Sequence, residues 1–392
     1  MRPLLANPYN KGDTLFRLLV TIRLTTRSLK NRLTNRFKVP AGLINAKALA
    51  NTDPTACYKA ITPAHTIHHP KQPHLPAGVN SVKDSHTAPY LPEQFILEIE
   101  NGRVFGEGFV ITKDNKLITE TSPDFHRKPD FHWLLSAGKL PKPVFIDKTV
   151  AVIASPGSGN YFHWTIDAVP RFSILRERMF DIDLFYILGN TNFQKEWLNW
   201  LGIPKEMIFV AGQQTHIWAR KIILPSFAGS SGLPSKDAID FIRGHMPPSV
   251  KISDRKLFIS RAGASRRKIL REHRLYPVLQ GAGFEIIFPG KMTVQEQMHT
   301  FSGATHIIAP HGAELTNLVY SRPGTKVLEI FSPYYKNFCY ANLATILSLD
   351  YRFILGNGQQ SKMHKQIDYH HLWRNINISP TCIQKALSDL TQ

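Results

Sequence analysis

Short apolar runs alternate with stretches of helical periodicity over most of this chain, and that alternation restricts the fold more than any other feature. TVAVIA (149–154), LFYILG (184–189), MIFVAG (207–212) and KIILP (221–225) form one series of candidate strands. KLFISR (256–261), FEIIFP (284–289), HIIAP (306–310) and KVLEIF (326–331) form a second, with helix-like segments such as TVQEQMHTFSG between them. Strands that alternate with helices make a parallel sheet covered on both faces. Two series imply an α/β protein of two doubly wound domains, at 93–250 and 251–392, parted where PPSVKISD breaks the periodicity. Ahead of the first series, FILEIENGRVFGEGFVITKDNKLITE reads as an antiparallel meander turning at ENGR and KDNK. Ligands in such folds bind beyond the carboxyl ends of the strands, so both domains are expected to face a cleft through the loops that follow the runs.

The remaining segments set the surroundings. Residues 41–92 are rich in Pro and His and read as a linker or irregular wrap. The histidines of AHTIHHPKQPH have no Cys or carboxylate beside them, which favours a surface loop over a metal site. Residues 1–40 form a basic N-terminal segment. Within 15–33, Leu15, Leu18, Leu19, Ile22, Leu29 and Leu33 recur at helical spacing, and Arg17, Arg23, Arg27, Lys30 and Arg32 fill much of the other surface. Such a helix suits an anionic membrane surface; the alternative is a helix packed on its own domain.

The net charge of +19 calls for an anionic counterpart. No helix-turn-helix, RNA-recognition or zinc-finger signature is present, which argues against nucleic acid and leaves membranes and anionic glycans. Three scattered cysteines, no apolar run near the roughly 18–20 residues of a membrane span and no signal-peptide core favour a cytoplasmic protein.

Three loops hold most of the chemistry. In ISRAGASRRKILRE, Arg261 leaves a strand, and Arg266, Arg267 and Lys268 follow a turn containing Gly263. Arginine offers a planar fork to phosphate, and glycine lets the backbone approach it. In APHGAELTN, Gly312 is expected to take a conformation closed to other residues. A helix starting at Ala313 or Glu314 would then aim its free N–H groups at an anion, with His311 beside it and Asn317 one turn on. The third loop, PGSGNYFHWTIDAVPRF, holds Gly157, Gly159 and Asn160 in what reads as a flexible turn. Beyond it His163 and Asp167 stand four apart, so a helix places them on one face as an oriented general base, with either group able to take the proton. Glu329, inside an otherwise apolar strand, needs a partner or a function, since an unpaired buried carboxylate is costly; a ribose is one candidate. Asp181 and Asp183 precede a strand, at the wrong end for a ligand-bound metal.

Taken in order, His163–Trp164, Asp167, Pro170–Arg171, ISR–RKILRE, Glu296–Gln297–Met298, APHGAELTNLVY and KVLEI resemble glycosyltransferase family 61, over roughly 95–335. The resemblance implies a GT-B fold, two Rossmann-like domains with a cleft between them. It implies a nucleotide-sugar donor, usually UDP-linked, and inversion at the anomeric carbon without a bound metal or other cofactor. Arg261 and Arg267 would surround the diphosphate, with the loop of His311, Gly312, Ala313 and Asn317, while Glu329 would lie near the nucleoside. Gly159 and Asn160 are counted with the donor residues, and His163 and Asp167 would face the acceptor. The chain departs from the pattern at Glu314, where members often have glycine, and at Arg271, where asparagine is common. The function implied is transfer of a sugar to a glycan or lipid-linked glycan in surface polysaccharide synthesis, at the inner face of a membrane. The competing reading is a non-catalytic protein of the same fold that binds an anionic polymer, glycan or nucleic acid, through its basic surface.

Overall fold

The computed structural model describes residues 39–67, 90–125, 127–246, 254–358 and 374–391. The basic segment 15–33 lies outside the described residues. The strands, in chain order, are β1 (Gly42–Ile44), β2 (Cys57–Thr62), β3 (Gln94–Glu100), β4 (Arg103–Phe105), β5 (Phe109–Ile111), β6 (Lys116–Ile118), β7 (Val144–Val152), β8 (Leu184–Leu188), β9 (Ile208–Ala211), β10 (His216–Pro225), β11 (Arg255–Ile259), β12 (Phe284–Ile287), β13 (Ala304–Pro310), β14 (Lys326–Phe331) and β15 (Asp350–Leu355). The two-residue strands 65–66 with 90–91, and 229–230 with 233–234, make small separate ladders.

The first half is a ten-stranded mixed sheet in the order β1-β6-β5-β4-β10-β7-β8-β9, with β3 joining β10 to β2. Here the expectation of a doubly wound domain needs correction. Strands β7, β8, β9 and β10 form a parallel block, and β1 pairs parallel with β6 at the far edge. Strand β10 pairs antiparallel with β3 and β4, which extends the parallel block into the meander. The meander turns use Asn101 and Asn115 at φ of 54° and 68°, a left-handed conformation that Asn tolerates better than most residues. Residues 42–62, read as part of a linker, contribute β1, β2 and the helix Ala46–Thr52, capped by the Asn45 side chain. The burial that holds them is supplied by distant partners, with Ile44, Ala46 and Leu49 packed against β3 and β10.

The second half is a five-stranded sheet, order β12-β11-β13-β14-β15, parallel throughout. Sequential strands depart from β11 in opposite directions, so a switch point lies between the carboxyl ends of β11 and β13. The two loops that leave those ends carry Arg261 and His311–Gly312.

A continuous apolar layer fills the space between the two sheets. It joins Ala151, Trp164, Phe172 and Phe185 of the first half to Leu257, Met298, Phe301 and Phe331 of the second. The last helix, Pro380–Thr391, packs through Ile383, Leu387 and Leu390 on the outer face of the second sheet, beside Phe258, Leu279 and Ile308. It does not cross back to the first half. Among the described residues no helix is long and apolar enough to cross a membrane.

Candidate active site

Strand β7 ends at Val152, and the loop behind it delivers His163. Asn160 caps the short helix Tyr161–His163 by accepting the Phe162 N–H at 2.9 Å. The helix then widens into a π turn, Trp164–Ala168. Such turns are rare and frequently mark functional sites. His163 and Asp167 meet across it, Nδ1 to Oδ2, at 2.8 Å. Asp167 is only 1% exposed, and it also accepts the Ser231 hydroxyl on Oδ2 at 3.0 Å and the Gly232 N–H on Oδ1 at 2.8 Å. With Nδ1–H donated to the carboxylate, Nε2 carries the lone pair. The ring stacks on Phe125 at 5.1 Å and lies edge-on to Phe162. Gly157, at φ +81°, passes so near that a Cβ there would lie 2.7 Å from His163 Cδ2.

The loop is braced rather than flexible. Fully buried Arg171 donates Nη1 to the carbonyls of Val152, Ile153 and Ala154, at 3.2, 3.2 and 2.9 Å, and its guanidinium lies 4.7 Å above the Phe227 ring. Burial pushes its pKa down to about 9, against the pull of Asp167. Glu107 accepts the Gly157 N–H, and the Gln194 side chain donates to Ser158 O. Asn160 therefore serves the helix, and Gly159 sits exposed on the braced loop with only Leu188 near its open side.

In the second half the arginines lie at the switch point. Arg261 is 8% exposed; its Nη1 donates to the Glu314 carboxylate and its Nη2 to Arg266 O at 3.3 Å, while Nε is buried without an acceptor among the described residues. Burial, reinforced by the neighbouring Arg267 cation, pushes the Arg261 pKa down to about 10. Arg267 sits in the left-handed region at φ 53°, with its guanidinium 5.0 Å over the Tyr335 ring and its Nε also buried without an acceptor among the described residues. Gly312 is needed for a different reason from the one expected. Its backbone is extended (φ 175°), open to any residue, but a Cβ would lie 1.8 Å from Arg261 Nη1. The glycine makes room for the guanidinium. Behind it Ala313 opens a 3-10 helix, Ala313–Tyr320.

His311 is held through Nδ1 by Glu329 Oε1 at 2.5 Å and stacks on Phe331 at 5.2 Å. Glu329 is fully buried, and its other oxygen accepts the Tyr351 hydroxyl. That corrects the ribose assignment: both oxygens are engaged inside the protein, one by His311 and one by Tyr351. Asn317 is likewise fully buried. Its Oδ1 accepts the Tyr161 hydroxyl at 2.8 Å, and its Nδ2 donates to Gln297 Oε1 at 2.6 Å and Glu314 O at 3.0 Å. It thereby links the helix Tyr161–His163 of the first half to the second half.

Among the described residues no group of three or more His, Cys, Asp or Glu side chains is placed to hold a metal ion. Asp181 pairs with Arg178, and Asp183 accepts the Thr149 N–H. His68, His69 and His74 lie outside the described residues. Sequence reasoning missed Phe125, Ser231 and Gly232. The only local signal for the last two was the small-residue run GSSGLPS, which reads as an ordinary turn.

Residues 161–328 match the Glycosyltransferase 61 family. The matched span holds His163, Asp167, Arg261, Arg267, His311, Gly312 and Asn317, and ends one residue before Glu329. A second comparison finds 41% identity over 63 residues with a beta-1,2-xylosyltransferase of Oryza sativa subsp. japonica. That stretch covers 16% of this chain and 12% of the plant protein. Both likenesses are to proteins named for glycosyl transfer.

Proposed function

We propose that this protein is an inverting glycosyltransferase that moves a sugar from a UDP-linked donor to a hydroxyl of a glycan acceptor. His163 Nε2 takes the proton of the acceptor hydroxyl. Asp167, fixed by Ser231 and Gly232, orients the imidazole and stabilises the imidazolium that forms. The acceptor oxygen forms its bond to the anomeric carbon from one face while the bond to the diphosphate oxygen breaks on the other. The leaving diphosphate meets Arg261, Arg267 and His311, which take up its growing negative charge. In this reading the arginines do the work a metal ion does elsewhere, and no cofactor takes part.

The observation that carries the proposal is the pair of unlike centres. An imidazole oriented by a buried carboxylate stands in one half, and two neighbouring arginines whose buried Nε atoms find no acceptor among the described residues stand at the strand switch point of the other. Such arginines favour an anion between them. One sheet per half, joined by Tyr161 and Asn317, supports a GT-B arrangement with the donor on the second half and the acceptor on the first. A surface polysaccharide or lipid-linked acceptor, reached from the cytoplasmic face of a membrane through residues 15–33, belongs to the same proposal and is motivated by sequence alone.

The test is thermal stability with UDP, GDP, CMP and ADP, each with magnesium and with EDTA, followed by transfer from UDP-sugars. A ligand at a hundred times its dissociation constant adds about 2.7 kcal/mol of stability. Stabilisation by UDP alone, indifferent to EDTA, is the expected result. A flat response to all four, with steeply salt-dependent binding of anionic polymers, would replace the transferase by the polymer-binding reading.

A further inference from the structure

The Arg261 cation, which the proposed reaction assigns to the leaving diphosphate, already has an anion. Glu314 places its carboxylate on Nη1 of a guanidinium that is itself buried. The two partners are held differently. Arg261 is fenced by the Gly312 backbone and by Arg266 O, with its side chain 8% exposed, whereas the Glu314 side chain is 26% exposed. The Glu314 backbone is anchored separately, because its carbonyl accepts the Asn317 amide at 3.0 Å. The carboxylate therefore has room to swing out while its backbone and Arg261 stay in place.

We propose that Glu314 sets the affinity threshold of this pocket: an internal carboxylate that occupies Arg261 in the empty protein and makes ligand binding an exchange of one anion for another. A tethered carboxylate acts at a high effective concentration, so a single free oxyanion competes poorly against it. A diphosphate competes well because it also engages Arg267. The residue thus excludes inorganic phosphate and sulfate and admits nucleoside diphosphates and their sugar esters. The ligand's identity rests on the proposed function; the exchange itself does not.

The experiment compares the full-length protein with Glu314→Gln, which keeps the size and removes the charge, using sulfate and UDP as probes in calorimetric titrations. Expected is a gain of about tenfold or more in sulfate affinity and a parallel gain for UDP, the scale of one charge-assisted hydrogen bond. Adding Arg261→Ala to Glu314→Gln should abolish the sulfate gain, which ties it to this cation. If Glu314→Gln binds sulfate and UDP no better than the parent while its melting temperature is unchanged, the exchange is refuted. If Glu314→Gln gains sulfate but neither protein binds UDP, the exchange stands and the UDP-linked donor reading falls.

Discussion

The Tyr161 hydroxyl donates to Asn317 Oδ1 at 2.8 Å, and this bond links the helix that presents His163 to the 3-10 helix behind Gly312. It ties the proposed base to the proposed diphosphate seat. Tyr161→Phe removes the donor and leaves a buried amide oxygen without it. The expected cost is about 1–3 kcal/mol, read as a lowered denaturation midpoint in urea. An unchanged midpoint would show that the bond does not hold the halves together.

Asp167→Asn keeps the shape of the dyad and removes its charge. The amide permits the wrong imidazole tautomer and no longer stabilises the imidazolium. Transfer is expected to fall about 10²–10⁴-fold in kcat, with UDP affinity unchanged. Loss of UDP binding in this variant would move Asp167 into the donor pocket and refute its assigned place.

The two glycines of the site fail differently. Gly312→Ala meets no backbone strain, since φ 175° suits alanine, but its methyl collides with Arg261. We expect UDP affinity to drop about tenfold or more, the worth of one charge-assisted contact, with the fold retained. Gly157→Ala must hold φ +81° as well as press on His163. It should lose about 1–2 kcal/mol of stability and lower kcat, while UDP binding is spared. Equal losses of UDP affinity in both would dissolve the division of labour between the loops.

A pH effect follows from His216, far from the dyad in sequence. It is 3% exposed, bonded through Nδ1 to Pro141 O at 2.7 Å, and its pKa is pushed down to about 4, first by burial and then by the Arg103 cation. The unfolded chain binds this proton below about pH 6.5, and the folded one only near pH 4. Stability contributed here is therefore intact above about pH 6.5 and lost as the pH falls toward 4, by on the order of 3 kcal/mol. Melting curves between pH 4 and 7 should be flatter for His216→Gln than for the parent protein. Parallel curves would refute the assignment.

Much of the frame is legible without coordinates. The apolar runs from 256 to 331 become β11 to β14 because both faces of a parallel sheet are buried and demand them. His163 and Asp167 were readable as a pair because they are four residues apart on one helical turn. The first sheet was misread where its strands are held by remote segments, as with β1 and β2.

Sequence by itself determined which residues can do chemistry here: two arginines after a strand, a His-Gly lip, an imidazole within reach of a carboxylate. Tertiary structure decided which partners each one meets. Arg261 finds Glu314 across 53 positions, Asp167 finds Ser231 across 64, and Tyr161 finds Asn317 across 156. Such contacts follow from strand order and packing, which bring distant loops to the carboxyl ends of the sheets. Local propensity carries no record of them, so Glu329, Asn317 and Gly312 took their tasks only when the chain closed around them.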